Sequence, residues 1–155
     1  MLQRVQSIYL LFAALVIFAL FLFPVAHNVY INGVPSTIKV TGIYHDVNGA
    51  QQQTTTFTAL SIVTAIVGLI PLALIFMYKN RKQQIVFCYM AVLLTIGYSF
   101  WVSQAIQSAT GGFTMGTSNF GIGVFMSSLS IVLMLFAVKA IQKDEKLVKS
   151  ADRLR

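Results

Sequence analysis

The sequence predicts an all-α membrane protein: a bundle of four transmembrane helices with a small β-hairpin-like outer loop and a helical cytoplasmic tail. Three observations carry this prediction. Apolar runs at about 5–26, 55–78, 83–105 and 119–138 contain no Asp, Glu, Lys, Arg or His. Each is about as long as the ~20 residues that a helix needs to cross a hydrocarbon core of ~30 Å. Charged residues make up only 10% of the chain, against ~25% in an average soluble domain.

The basic residues give the orientation. Arg4 precedes the first run, Lys79, Arg81 and Lys82 lie between the second and third, and Lys139, Lys143, Lys146, Lys149, Arg153 and Arg155 follow the fourth. Lys39 alone falls in the first outer loop, so ten of eleven cations lie on one side. The positive-inside rule assigns that side, and with it both termini, to the cytoplasm. The net charge of +7 is thereby explained by membrane orientation and anionic headgroups, and implies no nucleic-acid partner.

The elements follow in order. The first run is longer than the ~7–15 apolar residues of a signal-peptide core, so it reads as an uncleaved anchor. Pro24 marks its outer end. The outer loop, 27–54, holds the β-prone segments Val29-Tyr30-Ile31 and Thr37-Ile38-Lys39-Val40, with Asn32-Gly33 as a hairpin turn signal. The second run carries Pro71, which removes the usual donor to the Val67 carbonyl and makes the position a hinge candidate. Lys79-Asn80-Arg81-Lys82 is short enough to fold the second and third runs into an antiparallel pair. The second outer connection, Gly111 to Gly116, is rich in glycine and uncharged. The tail, 139–155, continues as a helix, with Ala140, Leu147, Ala151 and Leu154 sharing a face.

Small residues recur at intervals of three or four, which places them on common helix faces where backbones approach closely. They are Ser61, Ala65 and Gly68 in the second run, Ala91, Thr95 and Ser99 in the third, and Gly123, Ser127 and Ser130 in the fourth. These faces serve packing within the bundle or contact with a partner subunit.

Several chemistries lack their residues. A coupled transporter keeps an ionisable group inside the membrane, and no run has one. The four-helix thiol oxidases and quinone reductases need cysteine pairs, and Cys88 stands alone. A membrane aspartyl peptidase needs two acids at the membrane face, yet Asp46, Asp144, Glu145 and Asp152 lie in loop or tail. His27, His45 and Asp46 gather on the outer side without the spacing of a metal-ligand motif. No catalytic, cofactor-binding or metal-binding residue is assigned. Tyr98, Trp101, Gln104 and Gln107 read as interfacial anchors.

Both ends carry a resemblance. Met1-Leu2-Gln3-Arg4-Val5-Gln6-Ser7-Ile8-Tyr9-Leu10-Leu11 and the segment from Ala140 to Arg155 resemble the ends of a family of small four-span proteins of the Bacteroidota, a domain of unknown function. That resemblance implies an inner-membrane location and a similar span order, and no activity. It draws attention to Arg4, Lys149, Ser150, Asp152 and Arg153 as a cytoplasmic docking set.

The functional expectation is a non-catalytic accessory or scaffold subunit of a larger inner-membrane protein complex. The alternative is a homo-oligomer that binds or transports a lipid or small apolar molecule, with Thr95 and Ser127 as its test positions.

Overall fold

The computed structural model describes residues 3–31, 33–47, 50–78, 80–111 and 119–153, without the side chains of residues 3, 4, 47, 50, 149 and 151–153. In chain order the elements are helix α1 (Gln3–Ala19), strands β1 (Ala26–Ile31), β2 (Val34–Lys39), β3 (Gly42–Val47) and β4 (Ala50–Thr56), and helices α2 (Thr58–Ile75), α3 (Arg81–Ala109) and α4 (Gly123–Arg153). The fold is therefore not an all-α bundle. Four helices are joined to a four-stranded antiparallel sheet of order β1-β2-β3-β4.

Three of the helices, α2, α3 and α4, are long and apolar enough to cross a membrane. The first, α1, is a shorter apolar helix: its 17 residues rise about 25 Å, at the lower end of spanning length. Its end has a local cause. Beyond Ala19 the backbone tightens into three-residue turns, with Leu20 N–H bonded to Ile17 O at 3.1 Å and Phe21 N–H to Phe18 O at 3.1 Å. Pro24 then bars the helical region to the residue before it. The apolar residues Leu20 to Phe23 thus form a corner rather than another turn of α-helix.

The helices pack in a ring, α1 against α2 and α4, and α3 against α2 and α4. Neighbours run antiparallel. The Ser130 hydroxyl donates to the Ala13 carbonyl at 3.0 Å, and the rings of Tyr9 and Phe136 lie 5.9 Å apart. Thr64 Oγ1 and Tyr98 Oη lie 2.7 Å apart, linking α2 to α3, and one end further on Gln84 Nε2 donates to Leu74 O at 2.8 Å. The starts of α1 and α3 and the ends of α2 and α4 therefore share one end of the ring, and the sheet covers the other.

The sheet replaces the expected hairpin-like loop and is larger than that loop. It begins at Ala26 and runs to Thr56, taking residues from both flanking apolar runs. Along β2 and the residue after it, Ser36, Ile38 and Val40 are buried in alternation, the period-2 pattern of a strand with one face covered. Val25, Ala26, Val29, Ile38 and Val40 form one core with Ile17 of α1, Leu20 of the corner after it, and Leu60, Tyr98 and Val102 of the other helices. Gly33, with φ +81°, occupies the β1–β2 turn, as the Asn-Gly signal predicts; Asn32 lies outside the described residues. The sheet is tied to α2 twice: Phe57 N–H bonds Thr41 O at 2.9 Å, and the Ser61 hydroxyl bonds Val40 O at 3.1 Å.

The segment expected as a helical tail is part of the fourth helix. The helix α4 is continuous through 31 residues, about 46 Å, and its later part still packs on the ring. Ile141 is fully buried in a second core with Leu10, Leu74, Cys88, Met134 and Val138. One turn on, Asp144 lies 3.1 Å from Arg81 of α3.

Candidate functional site: a cavity between α3 and α4

The faces of α3 and α4 meet at the end away from the sheet, where Arg81 pairs with Asp144 and Gln142 Nε2 donates to Tyr89 Oη at 3.3 Å. Toward the sheet, their facing side chains instead line a cavity of about 500 Å³. Small-molecule sites commonly measure ~300–1,000 Å³. Val102 and Ile106 of α3, Val124 of α4, and Leu20 and Val25 of the α1 corner give it apolar walls.

The space exists because several neighbours are small or held back. The α1 corner is fixed against the start of α4 by two backbone bonds, Gly121 N–H to Val25 O at 2.8 Å and Gly123 N–H to Pro24 O at 2.9 Å. A β-carbon at Gly123 would lie 2.8 Å from the Pro24 carbonyl oxygen, so the approach requires glycine. Ala26 forms an isolated bridge with Phe120 on the same side. Tyr98 stands at the inner wall, its hydroxyl held by Thr64.

The polar lining is uncharged. The Ser99 hydroxyl donates to Thr95 O at 2.8 Å and the Ser127 hydroxyl to Val124 O at 3.3 Å. Their oxygen lone pairs remain available as acceptors. Ser103, Gln107 and Ser128 also line the cavity and are exposed at its rim. A site of this kind can hold a neutral molecule by shape and a few hydrogen bonds. It contains no nucleophile–base pair and no group of metal ligands, and no cluster of three or more His, Cys, Asp or Glu occurs among the described residues.

The small residues singled out from sequence divide among different positions. Ala91, Thr95, Ser130 and Gly68 are buried inside the ring. Thr95 donates to Ala91 O at 2.8 Å and does not line the cavity, whereas Ser127 does. Gly68 faces the Phe18 ring, 3.0 Å from where a β-carbon would stand. Ser61 binds the sheet, Ala65 is half-buried, and Ser99 and Gly123 join Ser127 in the cavity lining. Pro71 is buried and α2 continues through it. Of the docking set, the exposed Ser150 donates to Leu147 O at 2.8 Å. The side chains of Arg4, Lys149, Asp152 and Arg153 lie outside the described residues. On the sheet, His45 Nδ1 lies 2.7 Å from the Ser36 hydroxyl, and Lys39 Nζ lies 5.3 Å from the centre of the Tyr44 ring.

Two features escaped the sequence reading. Tyr98 is a buried link to α2 rather than an interfacial anchor. Asp144, read from sequence only as a residue of the tail, is buried against Arg81, and a signal for this was present: it continues the buried spacing Ser130, Met134, Ala137, Ile141.

Large apolar side chains are exposed on the outer faces of the long helices, among them Ile62 and Leu69 of α2, Leu93 and Phe100 of α3, and Phe125 and Leu129 of α4. With three helices of spanning length, such an exterior is that of a membrane protein carrying a sheet at one end. The chain belongs to the family described as Domain of unknown function (DUF4293), whose model matches residues 2–154. No curated protein and no solved structure matches the chain.

Proposed function

We propose that this chain is a non-catalytic protein of the bacterial cytoplasmic membrane that binds a lipid or small apolar molecule between α3 and α4. The cavity carries this reading. It combines about 500 Å³ of space, apolar walls, a few uncharged polar groups and an opening along a surface that otherwise suits lipid. The proposed orientation puts the sheet outside and the Arg81–Asp144 end in the cytoplasm, beside exposed Lys82, Lys139, Lys143 and Lys146. The bacterial assignment rests on the likeness of the chain ends to proteins of the Bacteroidota.

The experiment is extraction and mass analysis of whatever molecule remains with the detergent-purified protein after extensive washing. One species is expected at near-equal stoichiometry, and Ser127→Leu, which fills the cavity from its wall, is expected to reduce it several-fold while leaving the fold intact. Equal retention by Ser127→Leu and the parent protein removes the cavity as the site.

A second reading, the accessory subunit of a larger membrane complex, is supported by the outer edge of the sheet. Strand β4 pairs with β3, and Gln51 to Thr56 are exposed. This segment contains no charge and no proline, the usual devices that protect an edge. An extended segment of a partner can add to such an edge through main-chain hydrogen bonds. Crosslinking from Gln52 in cells tests it: capture of a single defined membrane partner supports the subunit reading, and labelling of lipid and solvent alone opposes it.

A further inference from the structure

We infer that the occupant of the α3–α4 cavity is a neutral lipid of the diacylglycerol type, held by its hydroxyl and ester carbonyls. This rests on the binding function proposed above and specifies its ligand.

Charge is the first argument. No Lys, Arg, Asp, Glu or His lines the cavity. Arg81, Lys82, Lys139, Lys143 and Lys146 belong to the opposite half of the ring, and Lys39 stands over the Tyr44 ring on the sheet. A phosphate moved into this space would lose its hydration without gaining a counter-charge, a cost of several kcal/mol. A phospholipid headgroup is therefore a poor occupant, and a neutral one meets no such penalty.

The hydrogen-bonding groups narrow the class further. The Ser99 and Ser127 hydroxyl protons already go to carbonyls of their own helices, so these two oxygens offer only lone pairs to a ligand. The Ser103 and Ser128 hydroxyls and the Gln107 amide, exposed at the rim, each have a proton to donate. The site thus presents both acceptors and donors. A quinone head, with carbonyls alone, has no proton for Ser99 or Ser127. An isoprenoid alcohol has a single hydroxyl for the whole set. A glycerol diester carries a free hydroxyl and two ester carbonyls, and satisfies both kinds of group.

Position and size agree. Gln107 is 26 residues beyond Arg81 along α3, about 39 Å, which places it at headgroup level if Arg81 lies at the opposite interface. The volume suits the glycerol backbone and the first part of each chain. The acyl chains would leave through the opening between α3 and α4 into the surrounding lipid.

The test uses the full chain in phosphatidylethanolamine vesicles and a diacylglycerol carrying a photoreactive diazirine in one acyl chain close to its ester, with labelled peptides mapped by mass spectrometry. Saturable labelling is expected within 98–107 and 120–128, displaced by unlabelled diacylglycerol and unaffected by the same amount of phosphatidylglycerol or menaquinone. Ser103→Leu and Gln107→Leu alter exposed rim positions and are each expected to weaken binding roughly three- to tenfold, the loss of one hydrogen bond. Thermal unfolding unchanged from the parent protein verifies that both variants fold. Displacement by phosphatidylglycerol or menaquinone as effective as by diacylglycerol overturns the ligand class while leaving lipid binding in the cavity standing. Unchanged affinity in both rim variants overturns the assigned seat. Unsaturable labelling spread over all helices removes the ligand and the binding reading together.

Discussion

Gly121→Val is expected to be among the most damaging single substitutions in this protein, costing about 3 kcal/mol of stability. Gly121 is buried and its N–H bonds Val25 O at 2.8 Å. A β-carbon there would overlap the Pro24 carbonyl oxygen and lie 3.0 Å from the Pro24 carbonyl carbon. Those atoms are backbone, in the corner that joins α1 to the sheet, so no side-chain rotation relieves the clash. The corner must move away from α4, and the bonds from Gly121 and Gly123 are lost with it. Equilibrium unfolding in mixed micelles measures the loss. Gly97, whose β-carbon would meet nothing within 4 Å, is the control, and Gly97→Ala is expected to be neutral or slightly stabilising because alanine favours helix. Equal effects at the two sites would show that the close approach at Pro24 is not a constraint on the fold.

The second large effect is an asymmetry at the other end of the ring. Arg81→Ala is expected to cost about 2 kcal/mol, and Asp144→Ala about half as much. The pair is 3.1 Å apart, with the arginine side chain 24% exposed and the aspartate side chain 11% exposed. Removing arginine leaves the more buried partner ionised and alone. Removing aspartate leaves a long cation that can extend to headgroups and water. The double variant is therefore expected to unfold close to Asp144→Ala, well short of the sum of the single losses. Strict additivity would mean that the two groups do not stabilise one another. Because α4 carries Asp144 and α3 carries Arg81, the same pair bears on how far apart these helices stand at the cavity.

How much of this was legible in the sequence depends on which physical signal each element leaves. The three long helices are visible because their outward faces, such as Leu93 and Phe100, are apolar as well as their buried ones, producing unbroken runs. The same hydropathy conceals where a helix stops. Leu20 to Phe23 are as apolar as α1 itself, and only Pro24 hints that the chain turns there. The sheet was half legible. Val29, Ile38 and Val40 are β-branched and buried, and Gly33 signals the first turn. Strand β4 consists mainly of Gln and Thr exposed at successive positions, so it has no alternation to detect; its pairing with β3 defines it. Asp144 lies in a charged segment read as tail, although its spacing from Ile141 and Ala137 placed it on the packed stripe.

The cavity had no sequence signature of its own. Ser99, Gly123 and Ser127 were recognised as small residues on helix faces. Small residues bring helices together in one place and leave space between them in another, and only the relative placement of the helices distinguishes the two. Ser130 packs directly on Ala13, whereas Ser127, one turn earlier, lines the cavity. The contribution of Leu20, Val25 and Ala26 to its wall depends on the α1 corner, which hydropathy had absorbed into a span.

The central claim is that the space between α3 and α4 holds one molecule, and native mass spectrometry of the protein released from mild detergent tests it most directly. The account predicts a protein peak shifted by a single discrete mass, stable to moderate activation and depleted in Ser127→Leu. A bare protein peak, or an unresolved ladder of lipid adducts identical in the variant, would contradict it.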